Sequence, residues 1–531
     1  MKQLSGIDHL FLQMERGNQF MHVAVLGIYD PSTAPGGNVR FKDVLRFFAT
    51  RIAEFPQFRR RLVTVPLSLD RPYWVEDASF DVEFHVRHIA LPQPGDWRQL
   101  CIQVARLHSR PLDRSKPLWE VYVIEGLDNV DGAPAGSFAL YTKVHHSLID
   151  GESGSEITRA IHSLTPDDGA DEAEPPPTVH VAERDPSAFE IYSRAFANHL
   201  ARLPDLARFS LRTASRVATV GAVYAARTAT NPEQIKTRLL SLITGDLSSL
   251  TPKMPPATQF SADVSAHRVF EGVGLSMAQM KTIRQQVPGV TINDLFMTVV
   301  SGALHRYLAS RKELPAGSLL AAVPMTLRGE DKTQEGNRVG FTVMPLCSDI
   351  ADPIERLLAI RAGGATAKRV TGAIGKDLTM NMLEVLPPPL SGAVLRNVQL
   401  PRLGVLVSNV RGSEVPIYMA GARLVAQLPI SIVVDGIGLN CTGFSYAGTL
   451  WVCALSCREM LPDPAFFADC LRESFEDLKH GAAVHAERAA PPAVTAAAPA
   501  AQAPKTRKRP RAAAATTRRR KVNGTAARHL S

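Results

Sequence analysis

The segment from Thr165 to Pro186, TPDDGADEAEPPPTVHVAERDP, constrains the fold more than any other part of this 531-residue chain. It is acidic, rich in proline and without apolar periodicity, which is typical of an exposed linker. Strand-like and helix-like stretches alternate on both sides of it, and the chain is too long for one ordinary core. We therefore predict an α/β protein with one domain over residues 1–165, a linker over 166–188 and a second domain over 189–486.

The flanking stretches show which elements to expect. Before the linker, MHVAVLGIYD and FALYTKVHH alternate as strands do, whereas FKDVLRFFATRIAEF and WRQLCIQVARLHS have the helical period. After it, SLLAAVPMTLR and GLNCTGFSYAGTLWVCAL predict strands. The stretch from Ser187 to about Thr230 predicts a helix with Arg and His on one side of its apolar residues. Such a helix packs on its own domain, which we favour, or lies on a lipid surface.

The positive charge of the chain is concentrated at its C-terminal end. Residues 488–531 contain eleven of the 60 Lys and Arg residues and no Asp or Glu, so the rest carries 49 basic against 51 acidic side chains. The Ala-, Pro-, Arg- and Lys-rich segment 487–531 is predicted to be a disordered tail. It is a solvated extension or an attachment to anionic lipid. Nucleic acid is disfavoured because the tail has no aromatic residue for base stacking and the body has no excess of positive charge.

The cysteines and the N-terminal segment indicate the cellular compartment in which the protein is expected. Six scattered cysteines without a CxxC pair predict free thiols in a reducing compartment. Asp8 and Glu15 interrupt the N-terminal segment, unlike a signal peptide, and no run approaches the ~18 apolar residues of a membrane span. We expect a cytoplasmic protein that does not span a membrane. Peripheral attachment to the inner membrane or to lipid bodies is left open.

The sequence HHSLIDG places His145 and His146 directly after the strand-like run SFALYTKV. Consecutive side chains of an extended backbone point to opposite faces. The two rings therefore do not share a metal ion, and with no third ligand nearby we predict no metal site. One imidazole faces a cavity and the other lies in its wall, but spacing does not decide which. Asp150 braces the loop or caps the following helix, and Gly151 permits a tight turn.

The segment after the doublet, GESGSEITRAIHSL, predicts a helix with Ile157, Ile161 and Leu164 on one face. No GxSxG motif accompanies the histidines, so covalent catalysis has no support. What remains is a neutral histidine that removes a proton from a bound hydroxyl, amine or thiol, for which a pKa near 6.5 is suited. The alternative is a polar loop in which both histidines have only structural partners.

The heptapeptide His145–Gly151 is an HHxxxDG motif, and it resembles that of the CoA-dependent acyltransferase superfamily. Other segments narrow the resemblance, and they follow in the order of the chain: LSGIDHLFLQME with FMHVAVLGIYD, FRRRLV with RPYWVED, KPLWEVYVIEGL, TINDLFMTVVSGALHRYL, VPMTLRGED, LVSNVRGS with PIYMAGARL, and GLNCTGFSYAGTLWV with REMLPD. In this order they resemble the bacterial wax ester synthase/diacylglycerol acyltransferase family over about residues 3–480.

This resemblance implies two chloramphenicol-acetyltransferase-like domains with a tunnel between them. Acyl-CoA would enter as a substrate, with no cofactor, and a fatty alcohol or diacylglycerol would be the acceptor. His146 is implied to be the general base for direct attack on the thioester, without an acyl-enzyme. His145 and Asp150 would hold the loop and the imidazole.

Further residues are implied by the same resemblance. Asn293, in the Asn-Asp motif, is implied near the active site as a donor to the developing oxyanion, and Asp294 is more a structural residue. The Pro117-Leu118-Trp119 motif is implied to pack at the tunnel wall.

The chain departs from the family pattern at two loops. Gly6 stands where proline is usual, and SNVRGS, Ser408–Ser413, replaces the common SNVPGP. Neither change removes a reacting group. Two other functions stay as alternatives: a related acyltransferase with a different thioester donor or acceptor, and a non-catalytic protein of lipid surfaces.

Overall fold

The computed structural model describes residues 1–148, 158, 161–166, 184–205, 207–208, 256–326, 339–374 and 402–489. The fold is mixed α/β, as predicted. The helices are α1 (Gly6–Met14), α2 (Phe41–Glu54), α3 (Val82–His85), α4 (Trp97–His108), α5 (188–205), α6 (Met277–Gln286), α7 (Ile292–Ser310), α8 (Pro353–Ile374) and α9 (Pro464–Ala489).

The strands are β1 (Lys2–Gln3), β2 (His22–Asp30), β3 (Arg60–Val63), β4 (Tyr73–Glu76), β5 (Val86–Ala90), β6 (Trp119–Glu125), β7 (Phe138–His145), β8 (Arg268–Ser276), β9 (Leu320–Thr326), β10 (Val339–Pro345), β11 (Val405–Arg411), β12 (Tyr418–Met419), β13 (Ala422–Ile430), β14 (Leu439–Tyr446) and β15 (Thr449–Cys457). They form two six-stranded sheets, with orders β12-β13-β2-β7-β6-β5 and β10-β9-β11-β14-β15-β8, and a small sheet β1-β4-β3.

The two halves of the sequence share the first six-stranded sheet. Strand β13 comes from the C-terminal half, yet it pairs antiparallel with β2, from Arg423 opposite Asp30 to Ile430 opposite Ala24. The short strand β12 extends the same edge. A simple cut at the predicted linker would therefore remove two strands from this sheet.

Helix α4 joins the two large sheets. It begins at a capping box in which Asp96 accepts the Gln99 N–H and Gln99 accepts the Asp96 N–H. Its apolar residues Leu100, Val104 and Leu107 recur at helical spacing and are buried in one large core that also contains residues of β2, β7, β8 and β15. Residues 1–487 accordingly form one compact unit, and residues 488–531 group separately.

Most predicted elements are confirmed. The stretches MHVAVLGIYD, FALYTKVHH and SLLAAVPMTLR form β2, β7 and β9, and GLNCTGFSYAGTLWVCAL forms most of β14 and β15. The helix predicted over residues 151–164 is wrong at its end, because Ser163 forms a β-bridge with Tyr418 and Leu164 is exposed. Tertiary pairing has outweighed the local helical pattern there. Most of the rest of that helix, most of the linker, the helix beyond residue 208 and the tail beyond residue 489 lie outside the described residues, and the domain boundaries stay a prediction.

All six cysteines are free and buried. In the described parts of the chain, we find no helix with both the length and the apolar character needed to cross a membrane.

Candidate active site

The histidine doublet lies at the end of β7, a central strand of the first sheet. His145 is the last residue of the strand and pairs with His22 of β2. Its backbone N–H donates to the carbonyl of Leu118 on one side (2.9 Å), and the N–H of His146 donates to the carbonyl of Met21 on the other (2.8 Å). The strand ends at His145, and His146 opens a turn in which the Leu148 N–H donates to the His145 carbonyl (2.9 Å), so the side-chain alternation of a strand does not extend to His146.

The His145 ring is held inside the protein and has 1% exposure. Its Nδ1 accepts the backbone N–H of Ser147 (3.1 Å) and lies 2.7 Å from the Ser147 hydroxyl. These contacts assign the proton of the neutral ring to Nε2. Nε2 lies 3.3 Å from the Glu15 carboxylate, within ion-pair distance although not aligned as a hydrogen bond.

Glu15 connects both histidines to the rest of the site. Its Oε1 accepts the Met21 N–H (2.8 Å), and the Met21 carbonyl in turn holds the His146 backbone. Its Oε2 accepts from Arg114 Nη2 (2.6 Å) and Nε (3.2 Å). Burial raises the pKa of this carboxyl, but His145, Arg114 and the Met21 N–H outweigh burial and lower the pKa to about 2. The carboxylate is therefore ionised at any physiological pH.

The His146 side chain is half-buried and stacks on Phe11 of α1, with ring centroids 4.1 Å apart and planes 22° from parallel. Burial, and secondarily the neighbouring His145, lower the pKa of His146 to about 4. At neutral pH the ring is therefore uncharged and able to accept a proton. The side chain of His146 is more accessible than that of His145, and His146 is the residue that the family resemblance implies to be the base.

The face of β7 that carries His145 also buries Lys143, whose side chain is fully enclosed. The Lys143 ammonium pairs with Glu120 (3.1 Å) and donates to the carbonyls of Leu107 and Arg110, at the C-terminal end of α4. A cation at this end of a helix is favourable because the carbonyls there carry partial negative charge. Lys143 thus fixes α4 against the strand that ends at the doublet.

The residues of the Pro-Leu-Trp motif are all buried beside the doublet. Leu118 receives the His145 N–H, and Trp119 donates its Nε1–H to the carbonyl of Phe58 (2.7 Å). Trp119 also lines a small pocket beside α2 whose lining is mostly apolar. The wall of this pocket includes Val144, two residues before His146, as well as residues of α2. Of the motif, Trp119 lines this pocket, and the placement of the motif at a tunnel wall stays a prediction.

Asn293 and Asp294 lie in the first turn of α7. Asp294 accepts the backbone N–H and the hydroxyl of Thr291, both at 2.8 Å, and its own N–H donates to the Thr291 hydroxyl. It is a helix-capping residue. Asn293 is exposed, and its Oδ1 accepts from Nδ2 of Asn409 on β11 (3.4 Å). This hydrogen bond joins Asn293 to Asn409. The placement of Asn293 toward an oxyanion stays a prediction.

Two predicted site residues, Asp150 and Gly151, lie outside the described residues. Within the ranges that the structure describes, no cluster of three or more His, Cys, Asp or Glu side chains is suited to a metal ion. The sequence analysis missed Glu15, Arg114 and Asn409 as site residues. Asn409 and Glu15 both stood in segments that carried the resemblance, SNVRGS and LSGIDHLFLQME, but Glu15 and Arg114 are 99 residues apart and only folding joins them.

Comparisons with known proteins show one family over most of the chain. The family model described as wax ester synthase/diacylglycerol acyltransferase catalytic domain matches residues 4–296, and that described as WS/DGAT C-terminal domain matches residues 335–479. A protein of Mycobacterium tuberculosis named as a probable diacylglycerol O-acyltransferase is 31% identical over 487 residues, which cover 90% of this chain and 98% of that protein.

Two solved structures are similar to this chain. The wax ester synthase/diacylglycerol acyltransferase of Marinobacter aquaeolei superposes with a TM-score of 0.61 at 26% identity, covering 91% of this chain and all of that one. The first condensation domain of the calcium-dependent antibiotic synthetase superposes with a TM-score of 0.52 at 13% identity, covering 91% of this chain and 97% of that one. The second likeness is one of fold alone.

Proposed function

The chain belongs to the wax ester synthase/diacylglycerol acyltransferase family, and from this premise we propose that it moves a fatty acyl group from acyl-CoA to the hydroxyl of diacylglycerol or of a long-chain fatty alcohol. The observation that carries the proposal is His146, a half-buried imidazole that is neutral at physiological pH and stands beside a histidine fixed by Glu15. A neutral imidazole at a protected site is what proton removal from a hydroxyl requires.

The proposed step needs no acyl-enzyme and no cofactor, because acyl-CoA itself supplies the activated acyl group. His146 takes the proton of the acceptor hydroxyl while the oxygen forms a bond to the thioester carbonyl carbon. Collapse of the tetrahedral intermediate breaks the carbon–sulfur bond, and the thiolate of CoA receives the proton from His146. The low pKa of His146 favours this return, since burial makes the imidazolium short-lived.

His145 and Glu15 act as positioning residues in this proposal. The Glu15 carboxylate lies within ion-pair distance of the His145 ring and accepts the Met21 N–H, and the Met21 carbonyl accepts the His146 N–H. One carboxylate therefore restrains both histidines of the doublet. Positioning of this kind is valuable because a small displacement of a base slows proton transfer strongly. Asn293 is proposed to donate to the oxyanion, for which its amide and its place in the first turn of a helix are suited.

The acyl donor and both acceptors are hydrocarbon-rich substrates, and the mostly apolar lining of the small pocket beside Trp119 and Val144 is compatible with this class. The same substrate class supports attachment of the protein to the cytoplasmic face of the inner membrane or to lipid bodies, because both acceptors partition into lipid.

Product analysis tests the proposal. Purified protein is given labelled palmitoyl-CoA with hexadecanol or with diacylglycerol in parallel, and the products are separated by thin-layer chromatography while free CoA is measured. We expect wax ester, triacylglycerol or both, and for His146→Ala a turnover lower by about 10²–10⁴. Near-normal ester synthesis by a folded His146→Ala protein would overturn the role of this base, and absence of ester with both acceptors would overturn the proposed reaction.

A further inference from the structure

Helix α5 is attached to the protein along one face only. Ile191 and Ala195 are buried against the small sheet, with 7% and 3% exposure. Asn198 and Arg202 both bind the buried carboxylate of Asp70, at 3.0 and 2.7 Å. Apolar contacts and an ion pair of low exposure therefore fix the orientation of the helix.

The opposite side of α5 carries a continuous row of exposed apolar side chains. We call Phe189, Tyr192, Phe196, Leu200 and Leu203 the apolar stripe; their exposures are 83%, 43%, 66%, 52% and 57%. The spacings of three and four residues place all five within one sector of the helix. No charged side chain belongs to this row. The helix thus buries the face that carries Asn198 and Arg202 and exposes the face that carries the apolar stripe.

A neighbouring loop continues this apolar surface. The ring Nε2 of His199, which borders the stripe on the helix, lies 2.7 Å from the carbonyl oxygen of Leu69. Leu69 and Leu67 on that loop are themselves 41% and 86% exposed. Large apolar side chains grouped in this way mark an interaction surface, whereas isolated ones do not.

We propose that the apolar stripe is the surface by which the protein lies on a lipid phase. The proposal rests on the proposed function, in which the acceptor dissolves in lipid rather than in water. A stripe of Phe, Tyr and Leu on a helix is suited to the boundary between headgroups and acyl chains. The eleven Lys and Arg residues of 488–531, without an acidic residue, complement anionic headgroups, so the same chain carries both components of interfacial binding.

The two components differ in their response to lipid charge and salt, which allows them to be separated. Burial of apolar side chains is indifferent to headgroup charge, whereas attraction of the basic segment requires anionic lipid and weakens with salt. Neutral phosphatidylcholine vesicles that contain diacylglycerol therefore report on the stripe alone. Vesicles of equal parts phosphatidylcholine and phosphatidylglycerol report on both components.

The test replaces three stripe residues in the full chain, Phe189→Gln, Phe196→Gln and Leu200→Gln, since glutamine is uncharged and favours helix. The matched control, Phe341→Gln with Leu358→Gln, changes exposed apolar residues elsewhere. Sedimentation with neutral vesicles should show a partition coefficient about 100-fold lower for the triple variant and unchanged for the control. Turnover of vesicle-borne diacylglycerol should fall in parallel, while turnover of a water-soluble short-chain alcohol should not.

Three outcomes would overturn the inference. The first is binding of the triple variant to neutral vesicles within twofold of the unchanged protein. The second is a change from oligomer to monomer with vesicle binding retained, which would assign the stripe to a second copy of the chain. The third is a fall of several degrees in the unfolding temperature, which would mean that the stripe is packed within the protein. Failure of the proposed reaction is separate, since it would appear as no ester from any acceptor even when vesicle binding depends on the stripe.

Discussion

Neutralising Glu15 is expected to destabilise the site and slow the reaction together. Glu15→Gln keeps the shape of the side chain and an oxygen that accepts the Met21 N–H. It removes the negative charge that faces Arg114 and His145. The amide N–H₂ would replace Oε2 and be placed against the Arg114 donors, and the oxygen that remains beside His145 Nε2 no longer carries a negative charge.

The size of the effect follows from the pKa of Glu15, which is lowered from 4.5 to about 2. A shift of this size corresponds to about 3 kcal/mol in favour of the ionised folded state. Because the folded pKa is depressed, this stabilisation is fully present above pH 4.5 and is lost as pH falls toward 2. Glu15→Gln should therefore lower the free energy of unfolding by about 3 kcal/mol at pH 7, and by less below pH 4.5.

Urea unfolding at pH 7 and pH 4 measures the stability, and initial rates below the unfolding temperature give kcat and KM separately. We expect kcat to fall by about 10- to 100-fold with little change in KM, as for a positioning residue. Nitrogen-15 spectra of labelled histidine report whether His145 still carries its proton on Nε2. The control is Glu76→Gln, which removes a carboxylate paired with Arg59 away from the doublet. An unchanged unfolding midpoint and a kcat within twofold of the unchanged protein would refute the reasoning.

Four other predictions test the remaining parts of the site. Because burial lowers the pKa of His146 to about 4, kcat/KM should stay level between pH 8 and pH 5 and show no inflection near 6.5; initial rates over this range, with folding checked by circular dichroism, decide this. Asn293→Ala should lower kcat by about 10²–10³ if its amide binds the oxyanion, and Asn409→Ala by less, as steady-state kinetics at saturating acyl-CoA will show. Trp119→Phe leaves the Phe58 carbonyl unpaired and should lower the free energy of unfolding by about 1–3 kcal/mol, measured with urea. Deletion of residues 488–531 should weaken sedimentation with anionic vesicles and leave acyl transfer intact; unchanged sedimentation would exclude the tail as a lipid anchor.

Local pattern predicted the elements well because it acts over a few residues. Alternation predicted β2 and β7, and the helical period predicted α2 and α4, since each follows from which side chains one element must bury. The helix predicted to end at Leu164 failed because Ser163 finds a partner in Tyr418, 255 residues away. Local helix propensity contains no information about a pairing partner as distant in the chain as Tyr418.

For the candidate site, the sequence by itself placed the doublet His145–His146 at the end of a strand, because the apolar run before it is typical of β-structure. The ordered motifs determined the family and so pointed to His146 as the base. Only the tertiary structure decided which ring is enclosed, since that depends on Phe11 stacking on one ring and Glu15 reaching the other. The same holds for α5. Its apolar residues can be identified in the sequence, but the hydrogen bonds of Asn198 and Arg202 to Asp70 decide which face of the helix is exposed. Burial and charge pairing are properties of groups brought together from distant positions, and folding alone brings them together.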